Sequence, residues 1–222
     1  MNYFAHAFRF IGRPRFVTGT ALPDWLSVVN RRLRFRPQRL DPAALHADQK
    51  ISELMAGIKQ HLEDDNRFHN CEAFSRCLVA VLQEVRPFLN GVGIPPVFLS
   101  HLLVEVLLDA QLVRTRQADV SRYYADLESV DPDWTEWATG EILGQSVSGL
   151  AHFIRLFCRE KILFDYADSE PAAKAQPGHA AVAAAKSFRF LSGGRRSIAT
   201  DCYCPCGRTP SGPGRMGIAV AE

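Results

Sequence analysis

The chain lacks any run of eighteen apolar residues, which leaves no segment that reads as a membrane span. Its first twenty residues also lack a continuous apolar stretch ahead of a small-residue cleavage site, because Arg9, Arg13 and Arg15 interrupt the aromatics. The expectation is a soluble, cytoplasmic protein with no membrane partner. A secreted disulfide framework is missing too. Of six cysteines, Cys71, Cys77 and Cys158 fall within helical patterns, where cysteine packs as a small hydrophobe, and Cys202, Cys204 and Cys206 crowd near the end. The spacing of that last trio departs from the two to four residues of structural zinc sites, and no second ligand pair follows it. Charge of one sign is also in short supply. Lysine and arginine number 26 against 24 aspartates and glutamates, and up to Tyr166 the balance is 19 basic to 20 acidic. Such a chain projects no long-range field toward a polyanion, which argues against a nucleic-acid partner. Strand-like alternation is scarce.

Helical periodicity fills the space that these absences leave. Apolar residues recur three and four apart through Ile51, Leu54, Met55, Ile58 and Leu62, and again through Phe98, Leu102, Val106 and Leu107. Gly91, Gly93, Pro95 and Pro96 separate a helix ending near Leu89 from one starting near Pro96, where proline is tolerated in the first turn. Further helices are expected at about 120–127, 133–143 and 147–164, with Asp131-Pro132 as a turn and Asp133 as an N-cap. The fold class is therefore all-α, a bundle of about seven helices over residues 1–166. Past Tyr166 the chain turns Ala-rich and then runs through Ser192-Gly193-Gly194-Arg195-Arg196 and Thr209-Pro210-Ser211-Gly212-Pro213-Gly214-Arg215. It buries too little apolar surface to offset a chain entropy of about 1 to 2 kcal/mol per residue, so 167–222 is expected to be a low-complexity, disordered tail. A shifted reading frame of a GC-rich gene yields the same composition.

Two helices carry the chemistry. His61, Asp65 and His69 stand at i, i+4 and i+8, and so do His101, Glu105 and Asp109. At about 100° per residue, each step of four advances only about 40°, which makes each trio a stripe along one helix face. Facing stripes of imidazole and carboxylate are how metal sites are built inside helical bundles. Mixed nitrogen and oxygen donors suit manganese, iron or zinc better than calcium. The bland alternative for the first stripe is a hydrated run through Glu63, Asp64, Asp65, Asn66 and Arg67. The second is harder to read that way, because His101 and Asp109 sit in a segment apolar almost all round, and a buried charge costs several kcal/mol unless it is paired or metal-bound. Asp24, between Leu22-Pro23 and Trp25-Leu26, is expected to be drawn inward, as is His6 among the N-terminal aromatics. Five arginines occupy nine positions at 31–39. They either meet a phosphate or acidic partner, or form a solvated edge with Leu33 and Phe35 tucked inward.

Met1-Asn2-Tyr3-Phe4-Ala5-His6, followed by Gly19-Thr20-Ala21-Leu22-Pro23-Asp24, resembles the opening of acyl carrier protein phosphodiesterases, and His61, Asp65, His69 and Asp109 fall at comparable later places. The likeness covers about residues 1–115 and extends more loosely to 166. It implies an HD-like, all-helical phosphohydrolase that uses a divalent metal, typically manganese, to release phosphopantetheine from a carrier protein. The two stripes and this resemblance together make His6, Asp24, His61, Asp65, His69, His101 and Asp109 candidate metal ligands. Asp24 or Asp64 would take a proton from water, and Arg67 or one of the arginines at 31–39 would hold phosphate. Leu62 stands where the family has arginine and His69 where it has aspartate, while His101 lies outside the family pattern, so the site is richer in nitrogen. The partner is then a carrier protein or a small phosphoester. Two rivals stand beside this reading: an HD-type nucleotide phosphohydrolase, and a noncatalytic helical protein that binds metal or a partner.

Overall fold

A computed structural model describes residues 2–37, 40, 48–88 and 95–166. The readings made for the tail, for Cys202, Cys204 and Cys206, for Arg39, and for Gly91 and Gly93 lie outside the described residues. Among the described residues the chain is all-helical, with eight α-helices and no strand: α1 (Tyr3–Ala7), α2 (Pro14–Val29), α3 (Gln49–His69), α4 (Glu72–Val85), α5 (Pro96–Thr115), α6 (Gln117–Glu128), α7 (Pro132–Leu143) and α8 (Leu150–Glu160).

Local chemistry sets most of the boundaries. Pro14, Pro96 and Pro132 open α2, α5 and α7 from the first turn, where the missing N–H is no loss. The cap of α7 is Asp131, whose side chain accepts from the Asp133 amide at 3.0 Å, so the N-cap stands two residues earlier than the sequence pattern placed it. Pro132 explains the offset, since it favours the first helical position and moves the cap to the residue before it. Gly144 closes the same helix in the left-handed region at φ 67°. The last helix is also shorter than expected, ending at Glu160 where Lys161 takes φ 46°.

The core is built on Phe4, Leu22, Trp25, Leu26, Ile51, Leu54, Ile58, Leu99, Leu103, Tyr123, Tyr124 and Leu127, all essentially without exposure. Two glycines decide how its central pair of helices meets. A Cβ on Gly19 would stand 2.3 Å from the Leu54 carbonyl oxygen, and one on Gly57 would stand 2.1 Å from that of Phe16. Thus α2 and α3 cross backbone against backbone, at a distance only glycine permits. Helix α5 is the described helix long and apolar enough to cross a membrane, but 56% of that stretch is buried inside the protein. It is a core helix. In the arginine-rich edge Leu33 and Phe35 are buried and Arg31, Arg32, Arg34 and Arg36 are exposed, as the solvated-edge reading expects.

Candidate metal centre

The Gly19–Gly57 crossing places the first imidazole. One residue past Gly19, the Thr20 carbonyl lies 2.7 Å from Nδ1 of His61, which is one turn past Gly57 on α3. A carbonyl can only accept, so Nδ1 carries the proton and donates it. In the neutral ring Nε2 is then left as a lone-pair donor. That nitrogen faces two carboxylates, Asp65 Oδ2 at 3.4 Å and Asp24 Oδ1 at 3.8 Å.

The second imidazole arrives on α1, a helix of five residues that could not persist alone. Its first amides are all taken by side chains. Tyr3 donates to Asn2 Oδ1 at 2.9 Å, while Phe4 and Ala5 donate to the two oxygens of Asp109 at 3.0 and 2.7 Å. Asp109 is completely buried and reaches over from α5. With α1 held, the His6 ring stacks on His61 with centroids 3.9 Å apart and planes 25° from parallel. Its Nε2 lies 3.4 Å from Asp65 Oδ1 and its Nδ1 3.6 Å from Asp64 Oδ2.

These groups form a layered site. The side chains of His6 and His61 are 0% and 3% exposed, whereas those of Asp24 and Asp65 are 32% and 30% exposed, so imidazoles make the floor and carboxylates the rim. The electrostatics follow from that layering. Burial works against a charged His6, but the Asp64 and Asp65 carboxylates outweigh it and lift the imidazole to about 9. Burial likewise pushes Asp65 up, and its contacts with His6 and His61 overcome this and hold the carboxyl far below the ordinary range. Asp24 is raised, chiefly by desolvation, with His61 and His6 pulling against it. Burial lifts Asp109 to about 7, opposed by the Phe4 and Ala5 amides.

The seven residues expected to form one ligand set do not converge. His6, His61 and Asp65 present donor atoms within 4.8 Å of one another, with Asp24 beside them. His69 and His101 belong to a different group, completed by Glu105. Asp109 lies in neither, because its two oxygens serve the N-terminus of α1 and it acts on the site through His6. Of the residues expected to take part in proton transfer or phosphate binding, Asp24 is on the rim and Asp64 faces His6, its Oδ1 accepting from Gln60 at 2.9 Å. Arg67 lies further out, 58% exposed and 3.4 Å from Glu63. A hollow of about 390 Å³ on α4, lined by Glu72, Arg76 and Val79, contains none of these groups.

Thr20 and Gly57 support the site without being among the residues expected to form it. Thr20 acts through its backbone, which leaves no mark in residue type. Gly57 did leave one, since an isolated glycine inside an amphipathic helix costs about 1 kcal/mol and signals a packing reason.

The donor set suits a cation. Zinc bonds to nitrogen and oxygen at about 2.0 to 2.2 Å, which puts neighbouring donors of a tetrahedron about 3.4 Å apart. The separations here of 3.4 to 3.8 Å are longer than good hydrogen bonds and close to that figure. Locking a ligand histidine by a hydrogen bond from its other nitrogen, as Thr20 locks His61, is the usual support for a metal-binding ring. No protein-family model matches the chain, and comparisons with curated proteins and with solved structures find no match either.

Proposed function

We propose that the chain is a metal-dependent phosphoester hydrolase whose centre is His6, His61 and Asp65 with Asp24 at the rim, and that it acts on a carrier-protein phosphodiester or a related small phosphoester. The observation that supports this best is the His61 ring, fixed by Thr20 so that Nε2 faces Asp65 and Asp24. A divalent cation held there, manganese on the family resemblance and iron or zinc on the donor set, supplies Lewis-acid polarisation and charge neutralisation at a phosphoryl group.

The chain's own groups have distinct tasks in this reading. The buried His6 and His61 exclude water from the floor of the site. Asp24 fits the proton carrier: its carboxyl is raised and its side chain reaches solvent, so it can take the proton that water gives up as its oxygen bonds to phosphorus, and return it to the alcohol oxygen released when the P–O ester bond breaks. Asp64 holds His6 from the other side of the ring. Arg67 reaches solvent one turn away, where it can meet phosphate oxygens once it leaves Glu63. In the test, purified full-length protein is stripped with a chelator, resupplied with Mn²⁺, and offered bis-p-nitrophenyl phosphate and phosphopantetheinylated carrier protein. Metal-restored cleavage that falls at least a hundredfold in Asp24→Asn supports the proposal. Absence of cleavage with metal shown to be bound removes it.

A second reading rests on the ion pairs themselves. With His6 lifted to about 9 between Asp64 and Asp65, one imidazolium offsets part of the carboxylate charge without a cation, as a noncatalytic helical protein would need. Elemental analysis of the protein as purified separates the two, because only the hydrolase requires metal at this centre.

A further inference from the structure

The group of His69, His101 and Glu105 is left unused by the proposed reaction. Nε2 of His69 and Nε2 of His101 both lie 3.0 Å from one oxygen of Glu105, Oε1, and the donor atoms of all three are within 4.8 Å of one another. The three come from two helices: His69 is the last residue of α3, and His101 and Glu105 sit one turn apart on α5. We propose that these three residues form a second, separate binding site for a borderline divalent transition cation of the zinc class, joining the end of α3 to α5.

Three features carry the assignment. First, two imidazole nitrogens and a carboxylate oxygen are a donor set for zinc-like ions, not for magnesium or calcium, and all three donor atoms lie within 4.8 Å of one another, the nitrogens 3.0 Å from the oxygen and so a few tenths of an ångström inside the spacing of about 3.4 Å in a zinc tetrahedron. Second, the rings are set by packing. Phe74 meets His69 and His101 nearly edge-on, with centroids 5.0 and 5.1 Å away, and the two imidazoles lie 4.6 Å from each other. One side of the trio is thus walled by an aromatic ring, while the His69 and His101 side chains are 29% and 37% exposed. Third, His69 ends α3, where the unpaired carbonyls of the helix terminus favour a cation.

The site is distinct from the centre that contains His61. The two groups share no residue, and His61 and His69 are eight positions apart on one helix, about 12 Å along its axis. The proposal does not depend on the hydrolase reading.

Full-length protein with its thiols blocked by iodoacetamide and its metals removed is dialysed against Zn²⁺ in small excess over two equivalents, and bound metal is counted by elemental analysis. Two equivalents are expected in the unaltered sequence. Glu105→Gln and His101→Gln should each lose one equivalent, with helical content by circular dichroism unchanged, and His61→Ala should lose the other. A single equivalent lost in Glu105→Gln but kept in His61→Ala also supports the second site, and counts against metal at the first. No bound zinc, or a count unchanged in a folded Glu105→Gln protein, overturns the proposal. Where Glu105→Gln or His101→Gln fails to fold, Cu²⁺ bound to the His61→Ala protein gives a second reading by electron paramagnetic resonance: a two-nitrogen hyperfine pattern supports the site and its absence overturns it.

Discussion

The two ends of the histidine-bearing face of α3 use the same residue types and are built differently. Near the Gly19–Gly57 crossing, imidazoles are buried under carboxylates, tied to backbone at Thr20, and separated from their acidic neighbours by 3.4 to 3.8 Å. Two turns further on, His69 and His101 are partly exposed and close on Glu105 at 3.0 Å. The inner group is part of the fold, and removing its supports should unfold or misplace it. The outer group is attached to the fold, and losing it should change binding with little effect on stability. This contrast shows that histidine and carboxylate at helical spacing do not fix a site's character. What backs the ring does.

The comparison is broken most severely at the crossing. In Gly57→Ala the new methyl meets the Phe16 carbonyl, so α3 must shift away from α2. The expected loss is about 3 kcal/mol or more by chemical denaturation, with loss of metal at the inner group, because Thr20 and His61 separate together. A denaturation midpoint unchanged from the parent would show that the helices do not meet there. Next comes Asp109→Ala, which leaves the Phe4 and Ala5 amides buried without their acceptor. It should cost about 2 to 4 kcal/mol and weaken inner-site metal binding through His6, while zinc binding at the outer group persists.

A third prediction concerns pH. The His6 imidazole is lifted from 6.5 to about 9, so the metal-free fold binds its proton more tightly than the unfolded chain does. The stability this supplies is fully present below pH 6.5 and is lost as pH rises through 9, and it is worth on the order of 3 kcal/mol. Urea midpoints of metal-free protein between pH 6 and 10 measure the slope, which His6→Gln should flatten. Metal at the inner group must displace the same proton, so its binding should tighten as pH rises across this range. The smallest effect sharpens the contrast from the other side. His101→Ala should change stability by less than about 1 kcal/mol, in keeping with its partly exposed ring, while removing the outer zinc.

The stripes were legible because rotation about a helix axis is fixed at about 100° per residue, which let His61, Asp65 and His69 be placed on one face without any tertiary information. Burial around Asp109 was legible for a similar reason, since an aspartate in an apolar helix must find partners. The identity of those partners was not legible. They are two amides 104 and 105 residues away, and backbone groups carry no sequence signature. The division of seven candidates into two groups was equally hidden. Facing stripes share a face but have no stated axial offset, and here Glu105 of α5 sits level with His69 rather than with His61.

That this protein is helical, where several helices begin through their prolines and caps, and which faces bear imidazole and carboxylate all follow from residue order, because each is a consequence of local geometry and burial. Which faces meet, and at what height along each helix, follows from packing across the chain. Those are set by the approach of Gly19 to Gly57 and by the anchoring of α1 on Asp109, contacts between residues far apart in the chain.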